Sequence, residues 1–431
     1  MTSQKTPSQS TTRRDFLKAG TAAAVAGSLA VNSGILHGAY ADGSDIIKVG
    51  LIGCGGRGTG AASQALSADP YTKLTAVGDA FADQNEKCLK ILKGFGKRSD
   101  VPKENRFTGF DAYKKVIDAV DVVLLTTPPH FRPMQLRAAI EAGKNVFCEK
   151  PVAVDAPGCR SVKETVEMAK KKNLAVVSGL CWRYHPSIRA TFKQVMEEKA
   201  IGDIHSMRCS YNTRGLWTKP RKEDWSEMEF QVRNWLYFTW LSGDHINEQH
   251  IHSLDKMTWA MGDKHPVKAS GTGGRQTRTD KVYGNVYDHF AVEYEYENGV
   301  KAFSRCRQQN GCDVDVSDTL YGSKGVCQIS SHRTSIKGDV NWKYKGKSGN
   351  MYQIEHNEMF QSIRDGKPIN NGDYMTTSTM MAIMGRMSAY TGKTITWDQA
   401  WNSKEDLSPK AYEWGDIKFP EVAMPGITRF A

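Results

Sequence analysis

The sequence predicts a two-domain α/β chain, a doubly wound parallel sheet followed by an α+β half built on antiparallel strands. Three observations predict it. The 431 residues exceed what one ordinary domain holds. Strand and helix signals alternate through residues 46–150. In the second half, residues 286–307 alternate with period two around a tight turn, and further strand candidates lie on either side. Hydrophobic residues make up 39% of the chain and charged residues 24%, enough apolar material for a core in each half.

The net charge of +11 suggests nucleic acid, but the pattern argues against it. Lys5, Arg13, Arg14 and Lys18 crowd the first 41 residues, and the rest of the excess is spread thinly. No later stretch concentrates Lys and Arg beside aromatics as a nucleic-acid groove requires, so polar or acidic small molecules are the expected partners.

The start reads Thr11-Thr12-Arg13-Arg14-Asp15-Phe16-Leu17-Lys18, followed by an apolar run from Ala19 to Val31 that is too short to span a bilayer. This looks like a twin-arginine export signal, with Ala39-Tyr40-Ala41 as the small-x-small cleavage pattern. The expected organisation is a signal over 1–41, a dinucleotide-binding domain over 42–151, a substrate domain over 152–400 and a tail over 401–431. A periplasmic or otherwise exported location follows, with no stable membrane span after cleavage. Nine cysteines are scattered with no Cys-x-x-Cys pair and do not read as a disulfide framework, although export would permit a bridge such as Cys306 to Cys312.

The first strand, Ile46 to Ile52, runs directly into Gly53-Cys54-Gly55-Gly56-Arg57-Gly58 and a helix-prone Ala61 to Leu66. In a Gly-x-Gly-x-x-Gly turn of this kind, Gly53 permits the tight bend and Gly55 lets the backbone approach a pyrophosphate. Gly58 lets helix pack on strand, while the helix N-terminus faces the phosphate charge. A second strand, Leu74 to Val77, ends at Gly78-Asp79, where a carboxylate can accept from the adenosine ribose hydroxyls. Asp79 would repel a ribose phosphate, so NAD is expected over NADP, with Arg57 the one residue able to reverse that. A third strand, Asp121 to Thr127, leads into Pro128-Pro129-His130. A fourth, Asn145 to Cys148, ends at Glu149-Lys150-Pro151.

Together, Gly53 to Gly58, Thr127-Pro128 and the run Ala142-Gly-Lys-Asn-Val-Phe-Cys-Glu149-Lys150-Pro151 resemble the glucose-fructose oxidoreductase and inositol dehydrogenase family (Gfo/Idh/MocA). The resemblance implies a Rossmann domain, an open and mainly antiparallel sheet domain, and a nicotinamide cofactor between them. It places Lys150 at the nicotinamide and the reacting hydroxyl. It also makes Gly53, Gly55, Gly56, Arg57, Gly58, Asp79, Thr127, Pro128, His130, Glu149 and Lys150 the expected cofactor-binding set. The open sheet of this family commonly forms a subunit interface, which implies a homo-oligomer.

In the second half, residues 286–307 alternate as a hairpin around Glu297-Asn298-Gly299, and His205 to Thr213, Thr319 to Tyr321 and Val326 to Ser330 are further strands. Helices are expected over Glu355 to Ile363 and Ser378 to Tyr390. Met380, Met381, Met384 and Met387 there follow helical spacing as core filling. Between Ser242 and Trp259, helical spacing puts His245, Glu248, His252 and Asp255 on one polar stripe. The family carries an acid-x-x-x-His-x-x-Asp arrangement here, which matches Glu248, His252 and Asp255, with glutamate in place of the usual aspartate. His252 is the expected general base or acid, Lys150 the expected stabiliser of alkoxide charge and Glu248 the accompanying acid. A metal held by His245, Glu248 and His252 lacks a zincin-type spacing and is not expected.

Arg183 and Tyr184, with Asp255, are candidate substrate contacts by the same resemblance. The stretch Arg214 to Trp240 holds Trp217, Trp225, Trp235 and Trp240 among basic residues, which tilts the substrate toward carbohydrate. The expected activity is hydride transfer to or from a sugar, polyol or derivative. Because no free NAD pool is maintained outside the cytoplasm, the cofactor is expected to be loaded before export, held tightly and recycled. The alternative is a glycoside hydrolase working by transient oxidation and elimination, although its Tyr-Pro-Thr-His run is absent. A nucleotide-holding protein without catalysis is the third class.

Overall fold

The computed structural model describes residues 45–330, 333–418 and 420–431. The twin-arginine run, the apolar segment and the cleavage pattern lie outside the described residues. Two sheets organise the rest. The first has six parallel strands in the order β3-β2-β1-β4-β5-β6. These are β1 (Ile47–Ile52), β2 (Thr72–Asp79), β3 (Arg106–Thr108), β4 (Val122–Leu125), β5 (Asn145–Cys148) and β6 (Val176–Ser178). Val122, Val123, Leu124 and Leu125 of β4 are all buried, the pattern of a strand covered on both faces by helices. Helix α1 (Gly56–Ala68) follows β1, α2 (Ala82–Leu92) follows β2, and α3 (Ala112–Asp118), α4 (Arg132–Glu141) and α5 (Ala156–Lys171) complete the layers.

The domain boundary expected at 151 falls inside this sheet. The crossover helix α5 and the sixth strand β6 both belong to it, because β6 pairs in parallel with β5 through Val146 and Val176. Without β6 the edge of β5 would carry unpaired backbone groups beside the Glu149-Lys150 turn.

After α6 (Pro186–Met196), the second sheet has nine strands in the order β14-β13-β12-β11-β7-β10-β9-β8-β15. These are β7 (Ile204–Thr213), β8 (Lys268–Gly274), β9 (His289–Glu295), β10 (Lys301–Gln308), β11 (Asp315–Gly322), β12 (Gly325–Ser330), β13 (Thr334–Gly338), β14 (Trp342–Lys343) and β15 (Ile395–Thr396). Among the described residues of this sheet, only β7 and β10 pair in parallel. The hairpin expected over 286–307 is β9 and β10, with Tyr294 opposite Ala302.

The polar segment is not one helix. After α7 (Glu227–Arg233), it is divided among the end of α8 (Thr239–Ser242), α9 (His245–Glu248) and α10 (Ile251–Ala260). Gly243 and Asp244 both take positive φ, 73° and 69°, which interrupts the spiral between α8 and α9. Asp244 compensates by capping His245 and by accepting from the Tyr287 amide at 2.7 Å and the Tyr390 hydroxyl at 2.6 Å. Helix α10 packs beneath the second sheet beside α12 (Gly372–Thr391), whose Met380, Met381, Met384 and Met387 are core residues as expected. Helix α11 (Met351–Arg364) returns to the first domain, where Met359 and Phe360 join the cluster of Ala61, Ala62 and Leu66. The short α13 (Trp397–Asn402) precedes the final segment. All nine cysteines are free, including Cys306 and Cys312. Among the described residues no helix is long and apolar enough to cross a membrane.

Candidate active site

A groove of about 1040 Å³ opens along the carboxyl ends of the parallel strands, lined by Gly53, Gly55, Gly56, Arg57, Gly58, Asp79, Thr127 and Pro128. Carboxyl ends of such strands are where open α/β sheets bind ligands. Gly53 takes φ 94°, and a Cβ there would lie 2.6 Å from the Thr127 amide. At Gly58 a Cβ would lie 1.9 Å from the Gly53 carbonyl, so helix and loop meet here without room for a side chain. Gly55 is the opposite case. A Cβ on it would meet nothing, and no side chain caps α1, so its first amides face open space. A pyrophosphate fits that cradle on shape and on the helix dipole.

Asp79 stands at the end of β2. Its two carboxylate oxygens accept from the amides of Cys54 at 2.7 Å and Phe81 at 2.9 Å, which aims the group at the groove. Burial pushes its pKa up to about 6, partly offset by those two amides. Arg57 is committed elsewhere. Its Nε sits 2.6 Å from Glu149 and its Nη2 donates to Gln64 at 2.7 Å, so it is not a free receiver for a ribose phosphate.

The loops after β4 and β5 are tied together by a residue that sequence reasoning missed. Arg132, buried at the start of α4, donates to the Thr127 carbonyl and to the Pro151 carbonyl, both at 2.5 Å. Nothing in an Arg-Pro helix start distinguishes this clamp from a surface arginine. Thr127 also donates to Gln135 at 2.7 Å. His130 departs from expectation. It turns away from the groove, with Nε2 2.8 Å from the Tyr412 hydroxyl and its ring edge-on to Trp240, and burial pushes its pKa down to about 4.

Lys150 extends from the end of β5 to α9. Its Nζ donates to the Glu248 carbonyl at 2.5 Å and to the Glu248 carboxylate at 2.9 Å. The glutamate's extra methylene relative to aspartate is what carries the carboxylate to this amine. His252 follows in the first turn of α10, 8% exposed, with Nδ1 buried and unpartnered. Burial holds its pKa well below the usual imidazole range, and the nearby Lys150 and Lys256 ammonium groups lower it further. Lys256 is one turn further along the same helix. It is buried in an ion pair with Asp318 of β11 and lies 4.6 Å over the Trp182 ring. His245 lies on α9, separated from α10 by the turn at Gln249 and His250, and faces Asp244 at 3.0 Å and, edge-on, Phe290.

The three expected substrate contacts are turned into the interior. Arg183 gives its donors to Asp255, at 2.9 Å from both Nε and Nη2, and to Asp263 at 2.6 Å, with its guanidinium 3.8 Å over Tyr374. Asp255 also accepts from Ser378 at 2.8 Å. Tyr184 donates to Asn371 at 2.8 Å within the core. A buried, fully hydrogen-bonded guanidinium has no donor left for a ligand, which is why these positions read as binding residues in sequence and act as structural ones here.

Two consecutive family models match the chain. The model for the oxidoreductase family with an NAD-binding Rossmann fold covers residues 47–180, and the one for the GFO/IDH/MocA C-terminal domain covers 190–328. The chain belongs to the Gfo/Idh/MocA oxidoreductase family. Its members' Rossmann domain binds NAD, and the groove above has the shape and charge to hold it.

An uncharacterised oxidoreductase of Streptococcus pneumoniae is 29% identical over 42% of this chain, and the match spans only 44% of that relative. Inositol 2-dehydrogenase 3 of Saccharopolyspora erythraea is 25% identical over 74% of this chain and 86% of its own. Levoglucosan dehydrogenase, solved with NADH and levoglucosan, superposes with a TM-score of 0.64 at 18% identity, covering 82% of this chain and 99% of that one, which shows the shared fold.

Proposed function

We propose that this oxidoreductase moves a hydride between a secondary alcohol of a sugar or polyol and NAD that stays bound between turnovers. The observation that carries the reading is the Lys150 ammonium held by Glu248, with the unpartnered His252 imidazole on the next helix. Bound NAD supplies the hydride acceptor. Lys150 donates to the substrate oxygen and stabilises the alkoxide charge that develops there. His252, neutral because of its burial and its two cationic neighbours, takes the hydroxyl proton in the oxidising direction. Glu248 fixes where the ammonium sits. Arg132 holds both loops at the strand ends, so that Thr127 and Lys150 keep their positions together.

The relative named inositol 2-dehydrogenase supports a polyhydroxylated ring as the substrate class. Export through the twin-arginine route and a homo-oligomer built on the open sheet belong to the same proposal, and export supplies the reason for retaining NAD. The test is to purify the mature protein, denature it, identify released nucleotide by mass and absorbance, and then offer single sugars and glycosides to the loaded protein. A shift in nicotinamide absorbance with one sugar supports hydride transfer. Aglycone release without that shift would instead favour transient oxidation and elimination.

A further inference from the structure

We infer that residues 404–418 and 420–431 are part of the nucleotide site: a strap whose Tyr412 and Trp414, together with Arg233, fix the aromatic wall at the adenosine end and so hold NAD as a non-exchanging group. The inference rests on the reading of the groove as the nucleotide site. It needs neither the export nor the substrate proposal.

That wall is built from Phe81, Phe110 and Phe131, which line the groove beside Asp79. None of the three is held by its own domain alone. The Arg233 guanidinium lies 3.7 Å over the Phe81 ring, donates to Asp83 at 3.2 Å and pairs with Glu229 at 2.8 Å. Trp414 lies 4.5 Å from the Phe110 ring and 5.2 Å from Phe81, and Tyr412 lies 5.8 Å from Phe131. The tryptophans at 217, 225 and 235, which in sequence tilted the substrate toward carbohydrate, also line this groove. They therefore speak to cofactor enclosure more than to the substrate.

The strap is anchored on both domains. Glu405 pairs with the fully buried Arg386 of α12 at 2.5 Å. The Leu407 amide donates to Asp155 at 3.0 Å, on the carboxylate oxygen left over after Asp155 caps α5 through Gly158. His130 meets Tyr412, and the Gly415 carbonyl accepts from Met228 of α7. Further on, the Pro420 and Ala423 carbonyls accept from Asn285 and Tyr287, and the Gly426 amide donates to Thr391. A segment fastened at this many points holds Tyr412 and Trp414 in place against the three phenylalanines, so the aromatic wall is assembled before the nucleotide enters. Aromatic faces locked by packing cost little ordering entropy when adenosine enters, which lengthens residence mainly through the dissociation rate.

The experiment is the dissociation rate of NADH from loaded full-length protein, followed by its fluorescence during a chase with excess NAD. Wild type is compared with Trp414→Ala, Tyr412→Phe, Arg233→Ala and a chain ending at residue 403. Trp342→Ala, half-buried on β14, serves as the destabilisation control. At least tenfold faster release is expected from Trp414→Ala and more from the shortened chain, with Trp342→Ala at the wild-type rate. Wild-type release rates in both Trp414→Ala and Arg233→Ala overturn the inference, as does equal acceleration by Trp342→Ala. A wild-type chain that neither carries nor binds NAD overturns the nucleotide site and the strap together, whereas loaded wild type with unaltered variants removes the strap alone.

Discussion

Glu248 holds Lys150 at two points, since the ammonium donates both to the carbonyl of this residue at 2.5 Å and to its carboxylate at 2.9 Å. The amine comes from a strand end of one domain and the acid from a short helix of the other. The pair therefore fixes the reacting group relative to both domains at once. Truncating either partner leaves a largely buried charge without its counterpart.

Lys150→Ala should cut turnover by roughly 10²–10³-fold or more while NAD stays bound, because the stabilisation of the developing alkoxide is lost and Glu248 loses its counter-charge. Steady-state rates alongside nucleotide content after gel filtration check it. Unchanged turnover would remove Lys150 from the chemistry.

His252 titrates below the usual imidazole range, so it is unprotonated at neutral pH and free to accept a proton. The acid limb of kcat/KM for oxidation should then lie well below the ordinary histidine value, and His252→Gln should lower kcat by roughly 10²–10⁴-fold. The pH–rate profile decides it. A limb centred near the ordinary value would mean that neither burial nor the Lys150 and Lys256 charges act on this ring.

Asp79, raised to about 6 by burial, is an anion at pH 7.5 and takes up a proton as the pH falls through that value. Protonation removes both the charge-assisted bond to the ribose and the repulsion of a ribose phosphate. The preference for NAD over NADP in the empty protein should therefore narrow by roughly five- to tenfold between pH 7.5 and 5.5. Calorimetric titration with each nucleotide at both pH values measures it. The same shift means that Asp79 opposes folding more when ionised, so its penalty fades as the pH falls toward the carboxylate range.

Lys256→Met should destabilise the fold by about 3–5 kcal/mol, since it strands the buried Asp318 carboxylate. Lys256→Met combined with Asp318→Leu should recover much of that loss. Denaturant unfolding of the single and double variants tests the pairing, and equal stability of the two would contradict it.

Gly58→Ala should abolish NAD binding and lower the melting temperature, because the added Cβ falls 1.9 Å from the Gly53 carbonyl and 2.6 Å from Thr126 Oγ1. Thermal unfolding and a fluorescence titration with NADH measure the two effects.

What the chain determines locally was readable from its residues. Strand-turn-helix at Ile47 to Ala68, the carboxylate closing β2 and the Glu149-Lys150 turn each depend on backbone preferences and side-chain periodicity among near neighbours. The same holds for the β9–β10 hairpin and the methionine-rich face of α12. The tertiary structure decided the rest. Helical spacing aligned four polar residues from His245 to Asp255, but the chain turns at Gln249 and His250 between α9 and α10 and divides them into two pairs. His245 then faces Phe290, and Asp255 faces Arg183 and Ser378. The clamp at Arg132 joins two loops, and the Lys256–Asp318 pair and the strap at Tyr412 and Trp414 join residues separated by tens to hundreds of positions. A charged or aromatic side chain has much the same local signature whether it meets a ligand or another part of its own chain. Its partner is chosen by burial and packing, which exist only once the two sheets and the final segment have come together.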